Sequence, residues 1–425
     1  MKNRLPLILA TLGLFGLAFC PLAWAESLLI PMDRQQTNHL KAYGIAYLAI
    51  AQGLKSQWLL NWRGGSFLLS DDPGLRKEAA RRGVYFEIQD DASVADMHAA
   101  IEKGNFEAVD LEKAPKIAVY TPLTKQPWDD AVTLALTYAE IPYEKIYDKE
   151  IIQGEVKNFD WLHLHHEDFT GQYSKFYAAF NQQPWYVQQV ASQETLAHSL
   201  GFSGNTALKK AVALSIRNYV ENGGYLFAMC LAPLTLDMAL AAARTDAVAD
   251  VFDGTPPSPN LQKEIDYNLS LAFTGFDYDT DPYSPSLGNL DYNQVNAGAI
   301  KRRPANDFVL FQFSPKFDPV PSMLIQNHTD LVKGFFGLAT SFPKEMVKPS
   351  MTVLANCSGQ DAVRYLHGVL GQGQFTYLGG HDPEDYSHAV GDSPTDLSLH
   401  RNSPGYRLIL NNVLFPAART KKRKT

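Results

Sequence analysis

Cysteine is scarce, with three in 425 residues. Cys20 lies in the apolar start of the chain, which leaves Cys230 and Cys357 and room for at most one disulfide in the remainder. Positive charge is also in short supply. Lys and Arg number 38 against 45 Asp and Glu, a net charge of −7, which argues against a nucleic-acid partner. Beyond the first 25 residues no apolar run is long enough to cross a bilayer. Phosphate loops are missing too. Arg63-Gly64-Gly65-Ser66 is neither a Walker loop nor a Gly-x-Gly-x-x-Gly, and reads as a tight turn. No cofactor is therefore expected, and no standard metal signature occurs. What remains is an ordinary globular composition, 45% apolar and 20% charged, with length for two or three domains.

The first 25 residues have the layout of a secretory signal. Lys2 and Arg4 precede an apolar stretch from Leu5 to Phe19, and Ala23-Trp24-Ala25 offers a small-x-small cleavage site before Glu26. That layout implies export from a bacterium to the periplasm or cell surface, with no transmembrane span after cleavage. The basic run Lys421-Lys422-Arg423-Lys424 reads as a solvated end.

Periodicity divides the rest into a first α/β unit over 26–111, a linker at Glu112–Pro115, and a larger α/β domain over 115–425 carrying an insertion at 250–350. In the first unit, strands are expected at Leu28–Ile30, Gln57–Trp62 and Val84–Ile88, with helices at Thr37–Gln52, Pro73–Arg82 and Val94–Lys103. In the second, strands are expected at Lys116–Tyr120, Glu144–Asp148, Asp160–His165, Tyr225–Met229, Met351–Ala355 and Gln374–Leu378, with a closing helix at Pro404–Leu414. Alternating strands and helices imply doubly wound, mostly parallel sheets. The insertion, rich in Pro, Asn, Asp and Tyr, reads as a surface segment lidding the cleft. Its acidic string Asp277–Asp281 lacks the glycine and closing glutamate of a calcium loop.

The chemistry gathers at strand ends. Gly223-Gly224 stops a helix, Tyr225–Met229 reads as a buried strand, and Pro233 suits a first helical turn. Cys230 then sits on a sharp strand-to-helix turn between Ala228 and Ala232. A turn that tight crowds its neighbours and demands small residues there, and the next helix aims its N–H groups at the sulfur. Read blandly, Cys230 is a small buried hydrophobe, or half of a disulfide with Cys357. Asp160–His165 delivers His163, His165, His166, Glu167 and Asp168 to the same edge. These are nitrogen and oxygen donors that a metal could use, but their spacing matches no zinc motif, so they are read as lining the site, with histidines hydrogen-bonded in the core as the bland reading and a metal site as a third. The last strand delivers Gly379-Gly380-His381-Asp382-Pro383-Glu384. Here His381 is placed to act as base to Cys230, with Glu384, or else Asp382, to fix its ring.

Cysteine, then histidine, then a nearby carboxylate is the order of class I glutamine amidotransferases, which these motifs resemble. Ala228-x-Cys230-x-Ala232 is similar to their Gly-x-Cys-x-Gly elbow, and His381-Asp382-Pro383-Glu384 to their His-Pro-Glu with one residue inserted. The resemblance implies a flavodoxin-like sheet and a cysteine amidase or hydrolase with Cys230, His381 and Glu384 as catalytic residues. A wider likeness rests on Leu29-Ile30-Pro31-Met32-Asp33, Asn38-His39-Leu40-Lys41-Ala42-Tyr43-Gly44, Trp161 to Phe169 and Gly379 to Tyr386. These phrases resemble an exported bacterial family commonly labelled asparagine synthetase B. The residues do not carry that label's chemistry: the expected mature start is Glu26 rather than cysteine, and no Ser-Gly-Gly-x-Asp-Ser loop is present. A catalytically inactive binding or scaffold protein on the same fold is the alternative.

Overall fold

The computed structural model describes residues 26–122, 130–292, 307–318, 321–333, 341–384 and 393–419. The signal-like segment, Asp385-Tyr386, the basic tail and Trp128, where a helix Trp128–Ala139 is expected to begin, lie outside the described residues.

The first sheet is built from β1 (Ser27–Ile30), β2 (Ser56–Leu60), β3 (Ser66–Ser70), β4 (Glu87–Gln89) and β5 (Glu107–Leu111), in the order β4-β1-β3-β2-β5. Every pairing in it is antiparallel, which corrects the expectation of a parallel first unit. The reason is the connection between β2 and β3. Asn61, Arg63, Gly64 and Gly65 all take positive φ there, making a tight reversal. A parallel neighbour would need a crossover of about a dozen residues or more. A Cβ on Gly64 would lie 2.3 Å from the Met32 carbonyl oxygen, so only glycine fits.

Among the described residues the second sheet has ten strands. They are β6 (Ile117–Tyr120), β7 (Glu144–Ile146), β8 (Trp161–Leu164), β9 (Tyr225–Met229), β10 (Phe308–Leu310), β11 (Leu331–Val332), β12 (Phe342–Pro343), β13 (Thr352–Cys357), β14 (Ala362–Leu370) and β15 (Gly373–Leu378). The order is β11-β10-β13-β14-β15-β9-β8-β6-β7, with β12 on β14. The half β15-β9-β8-β6-β7 is parallel. The other half is antiparallel, and β10, β11 and β12 come from the stretch read as a surface insertion.

Alternation along each parallel strand assigns its two faces. Ile117, Val119, Trp161, Tyr225, Phe227 and Met229 pack with the helices His39–Ala51, Ala131–Ala139 and Pro404–Leu414. Ala118, Tyr120, Leu162, Leu164, Leu226 and Ala228 pack with Asn205–Glu221 and Ala232–Ala241. Both faces are thus covered, as a parallel sheet requires. The first of these cores also takes in Leu28, Ile30, Trp58 and Phe67 of the first sheet. Buried Arg407 pins the seam: Nε donates to the Tyr43 hydroxyl at 3.0 Å, Nη1 to the Met32 carbonyl at 2.9 Å, and Nη2 to the Gly64 carbonyl. His39 and His328 stack beside it with centroids 4.7 Å apart.

The insertion is bolted to the elbow helix through Asp237. Its carboxylate accepts from the backbone N–H groups of Leu271, Ala272 and Phe273 at 2.9, 2.7 and 2.9 Å, and from the Tyr377 hydroxyl at 3.0 Å. The backbone of the acidic string holds a lysine. Lys175 Nζ donates to the carbonyls of Asp279 and Asp281, at 2.7 Å each.

Candidate active site

β6, β8, β9 and β15 run parallel, so their carboxyl ends share one edge of the sheet, where ligands of such sheets bind. At the centre of that edge β9 ends at Met229, and a helix begins at Ala232. Cys230 between them has φ +54°, in the left-handed region. An L-residue held there pays roughly 1–2 kcal/mol. Ala228 and Ala232 are fully buried against the turn, which accounts for their size.

Two hydrogen bonds tie the elbow to its neighbours. The Cys230 N–H donates to the Gly380 carbonyl at 3.1 Å, and the Ala232 N–H donates to the His165 carbonyl at 2.9 Å. The loops bearing His381 and His165 therefore flank the cysteine, one from β15 and one from β8. Those strands stand two interstrand spacings apart, roughly 9.5 Å. The rings of His165 and His381 nevertheless meet edge to face with centroids 4.5 Å apart, so they lean together across the end of β9. His166 is edge-on to His165 at 5.2 Å and stacks on His381 at 6.2 Å. One ring nitrogen from each of the three lies within 4.8 Å of the others.

A second group lies below this one. His163 places Nδ1 3.1 Å from the Phe227 carbonyl and Nε2 3.5 Å from Oδ1 of Asp130, and His165 Nδ1 lies 3.8 Å from the same oxygen. Asp130 also caps the helix Ala131–Ala139, accepting from the N–H groups of Val132 and Thr133 at 2.8 and 3.1 Å. Burial by itself would raise the Asp130 carboxyl. The His163 and His165 rings, with the hydrogen bond from His163, outweigh it and hold the group well below the ordinary carboxylate range. Sequence reasoning missed Asp130. Its signal was an aspartate directly before a helical run, after the first parallel strand.

The carboxylates expected around the site have separate duties. Asp168 spends both oxygens on its own loop, accepting from the Thr170 N–H and hydroxyl at 2.7 and 2.6 Å and from the Ser174 N–H at 2.7 Å. Glu167 is buried, and that burial foremost pushes it up to about 8. Lys209 pulls it down, while Asp148, Asp130 and Asp168 push it up. Asp382 accepts from the Glu384 N–H and the Thr395 hydroxyl, each at 2.9 Å. Glu384 places Oε2 3.3 Å from His400 Nδ1, so its carboxylate holds a histidine other than the one expected.

Cys230 and Cys357 are both buried, and neither is in a disulfide. β13, which ends at Cys357, lies three strand spacings from β9, roughly 14 Å. A disulfide needs Cα atoms within about 7 Å, which removes the disulfide alternative. A groove of about 1120 Å³ opens at the opposite, amino ends of the same strands beside Asp160, Gly223, Gly224 and Gln374. It therefore does not serve the cysteine and histidines.

No family model matches the chain, and no curated protein does. Solved structures give faint likenesses. Two Salmonella typhimurium proteins, each described as cytoplasmic, are 12% identical and cover 72% of this chain and 100% of their own, with a TM-score of 0.32. A β-galactosidase from Bacillus circulans is 10% identical over 63% of this chain and 28% of its own, with a TM-score of 0.26. What these proteins do is not carried over. The compartment named for the Salmonella pair runs against the expectation of export to the periplasm or cell surface, and that expectation is withdrawn. Among the described residues no helix is long and apolar enough to cross a membrane.

Proposed function

We propose that the chain is a cysteine-dependent hydrolase or acyl transferase acting on an amide or ester carbonyl, with Cys230 as nucleophile and His381 as base. The observation that carries this reading is the left-handed φ of Cys230 at a strand-to-helix turn. A strained, non-glycine residue at the centre of the carboxyl edge is what a nucleophile elbow requires and what packing alone does not. The strand order supports a flavodoxin-like, class I amidotransferase-like core: β7-β6-β8-β9-β15, counted along the chain, reads 2-1-3-4-5. The likeness to the family labelled asparagine synthetase B is kept as a family reading, without ATP-dependent ligation.

In this mechanism the thiol proton passes to His381 and the sulfur attacks the carbonyl carbon. The resulting oxyanion faces the Leu231 N–H and the start of the elbow helix. His381 then returns its proton to the leaving amine or alcohol, and water, or another acceptor, releases the acyl group from sulfur. Glu384 is engaged with His400, and the rings of His165 and His166 stand against that of His381. The catalytically inactive scaffold is favoured by one observation, the 1% exposure of Cys230.

Iodoacetamide labelling near neutral pH separates the two readings. An active site labels at Cys230, loses the label in Cys230→Ser, and slows at least tenfold in His381→Ala. Equal, slow labelling in the wild type and in His381→Ala would leave the scaffold reading standing and end the catalytic one.

A further inference from the structure

We propose that His165, His166 and His381 form a binding site for a borderline divalent ion of the zinc class, and that the bound ion withdraws His381 from Cys230. The first half stands on its own geometry; the second rests on the catalytic reading above.

Three imidazole nitrogens within 4.8 Å of one another are close to what a tetrahedral ion collects. With metal–nitrogen bonds of about 2.0–2.1 Å, ligand nitrogens stand roughly 3.4 Å apart. Side-chain rotation of about an ångström closes that gap. Imidazole donors without a carboxylate favour zinc, cobalt, nickel or copper over magnesium or calcium. Three protein ligands leave a fourth position for water or a substrate atom.

The surroundings suit an ion as well. The backbone at His165 is pinned by Ala232, and the backbone before His381 by Cys230, so two ligands come from rigid strand ends. His165 and His381 are buried, while the His166 side chain keeps 11% of its surface, which leaves a way in. Asp130 Oδ1 lies 3.8 Å from His165 Nδ1, so that ring can turn its other nitrogen to the metal with a carboxylate behind it. The neighbouring group of Asp130, His163 and His165 is the weaker candidate. Both nitrogens of His163 already face oxygen acceptors, and it serves to hold Asp130 in place.

The test uses the full chain, stripped with a chelator and titrated with Zn²⁺ by calorimetry and with Co²⁺ by visible absorption. One equivalent is expected to bind, with the intense visible bands of tetrahedral cobalt. His166→Ala touches the most exposed ring and should keep the fold while weakening binding at least tenfold. Asp130→Asn should weaken it by about 10–100-fold as an outer-shell change. His400→Ala, at the Glu384 pair, should leave binding unchanged. Absence of stoichiometric binding, or binding equal in the wild type and His166→Ala, would overturn the site. Stoichiometric Zn²⁺ should also slow iodoacetamide labelling of Cys230 in the wild type but not in His166→Ala. If zinc binds and labelling does not change, the coupling is refuted while the site stands. If Cys230 fails to label even when stripped, the catalytic reading falls and the metal site is judged by the titration alone.

Discussion

Replacing Cys230 by glycine should leave the protein about as stable as before while removing its thiol chemistry. Three contributions set the balance. Glycine adopts φ +54° freely, which returns the roughly 1–2 kcal/mol that an L-residue pays there. Against this, the buried side chain is lost, worth about 1–2 kcal/mol for a group of this size. The unfolded chain also gains freedom, at a further 0.5–1 kcal/mol or so. The sum runs from roughly −2 to +0.5 kcal/mol, with a midpoint loss of about 0.75 kcal/mol. Cys230→Ala loses the thiol and keeps the strain, so it should fall about 1 kcal/mol below the wild type. Cys230→Val adds a β-branch to a left-handed residue and should fall further than either. Urea midpoints at unchanged m-value give the ranking, glycine above alanine above valine. If glycine lost more than about 3 kcal/mol, or fell below alanine, the cysteine would be a packing residue and the elbow argument would fail.

Three further outcomes follow from buried charges. Burial foremost, then the charge of Arg407, lowers His39 to about 4 from 6.5. Its contribution, on the order of 3 kcal/mol, is present above pH 6.5 and lost as pH falls through about 4, so His39→Gln should flatten the acid limb of a stability–pH curve in that window. Glu167 behaves oppositely. It is raised to about 8 from 4.5, so stability is full below pH 4.5 and declines as pH rises through about 8; Glu167→Gln should unfold at higher urea than the wild type at pH 9 and show no such gain at pH 4. Asp237→Ala strands the backbone N–H groups of Leu271, Ala272 and Phe273 and the Tyr377 hydroxyl, so a loss above about 3 kcal/mol is expected, with faster hydrogen exchange at 271–273 read by mass spectrometry.

Elements with local punctuation were legible in the chain. The Gly-Gly stop, the apolar run Tyr225–Met229 and the early Pro233 defined β9 and its helix, and Pro404–Leu414 was read with the bounds the structure has. Elements stabilised from a distance were not. β3 is five residues whose partners are β1 and β2, and β14 buries Arg364 and His367 in its middle, which hides it from an apolar count. The helix Pro184–Ser199 buries only Tyr186, Gln193 and Ala197, too few to show helical periodicity. The site divides in the same way. Cys230, His165, His166 and His381 stand directly after strands, so the carboxyl-end rule finds them. Asp130 acts through rings two strands of sequence away, and the pairing of Glu384 with His400 depends on how a loop returns.

The nucleophile and the metal readings compete for one ring, and the structure says what decides between them. A base to Cys230 needs a His381 nitrogen turned to the elbow, whose N–H is already bonded to Gly380. A metal ligand needs a nitrogen of that ring turned to His165 and His166. Both postures are reached from Gly380, whose φ of +100° is open to glycine and strained for any residue with a side chain. Gly380→Ala should therefore disturb base and ligand together, whereas His166→Ala removes a ligand and leaves the base. Labelling and cobalt absorption measured on the two variants then separate the functions. If Gly380→Ala lowers both signals and His166→Ala lowers only the cobalt bands, one histidine serves two chemistries. If His166→Ala lowers labelling as far as His381→Ala does, His166 positions the base, and the ion is not what holds the three rings together.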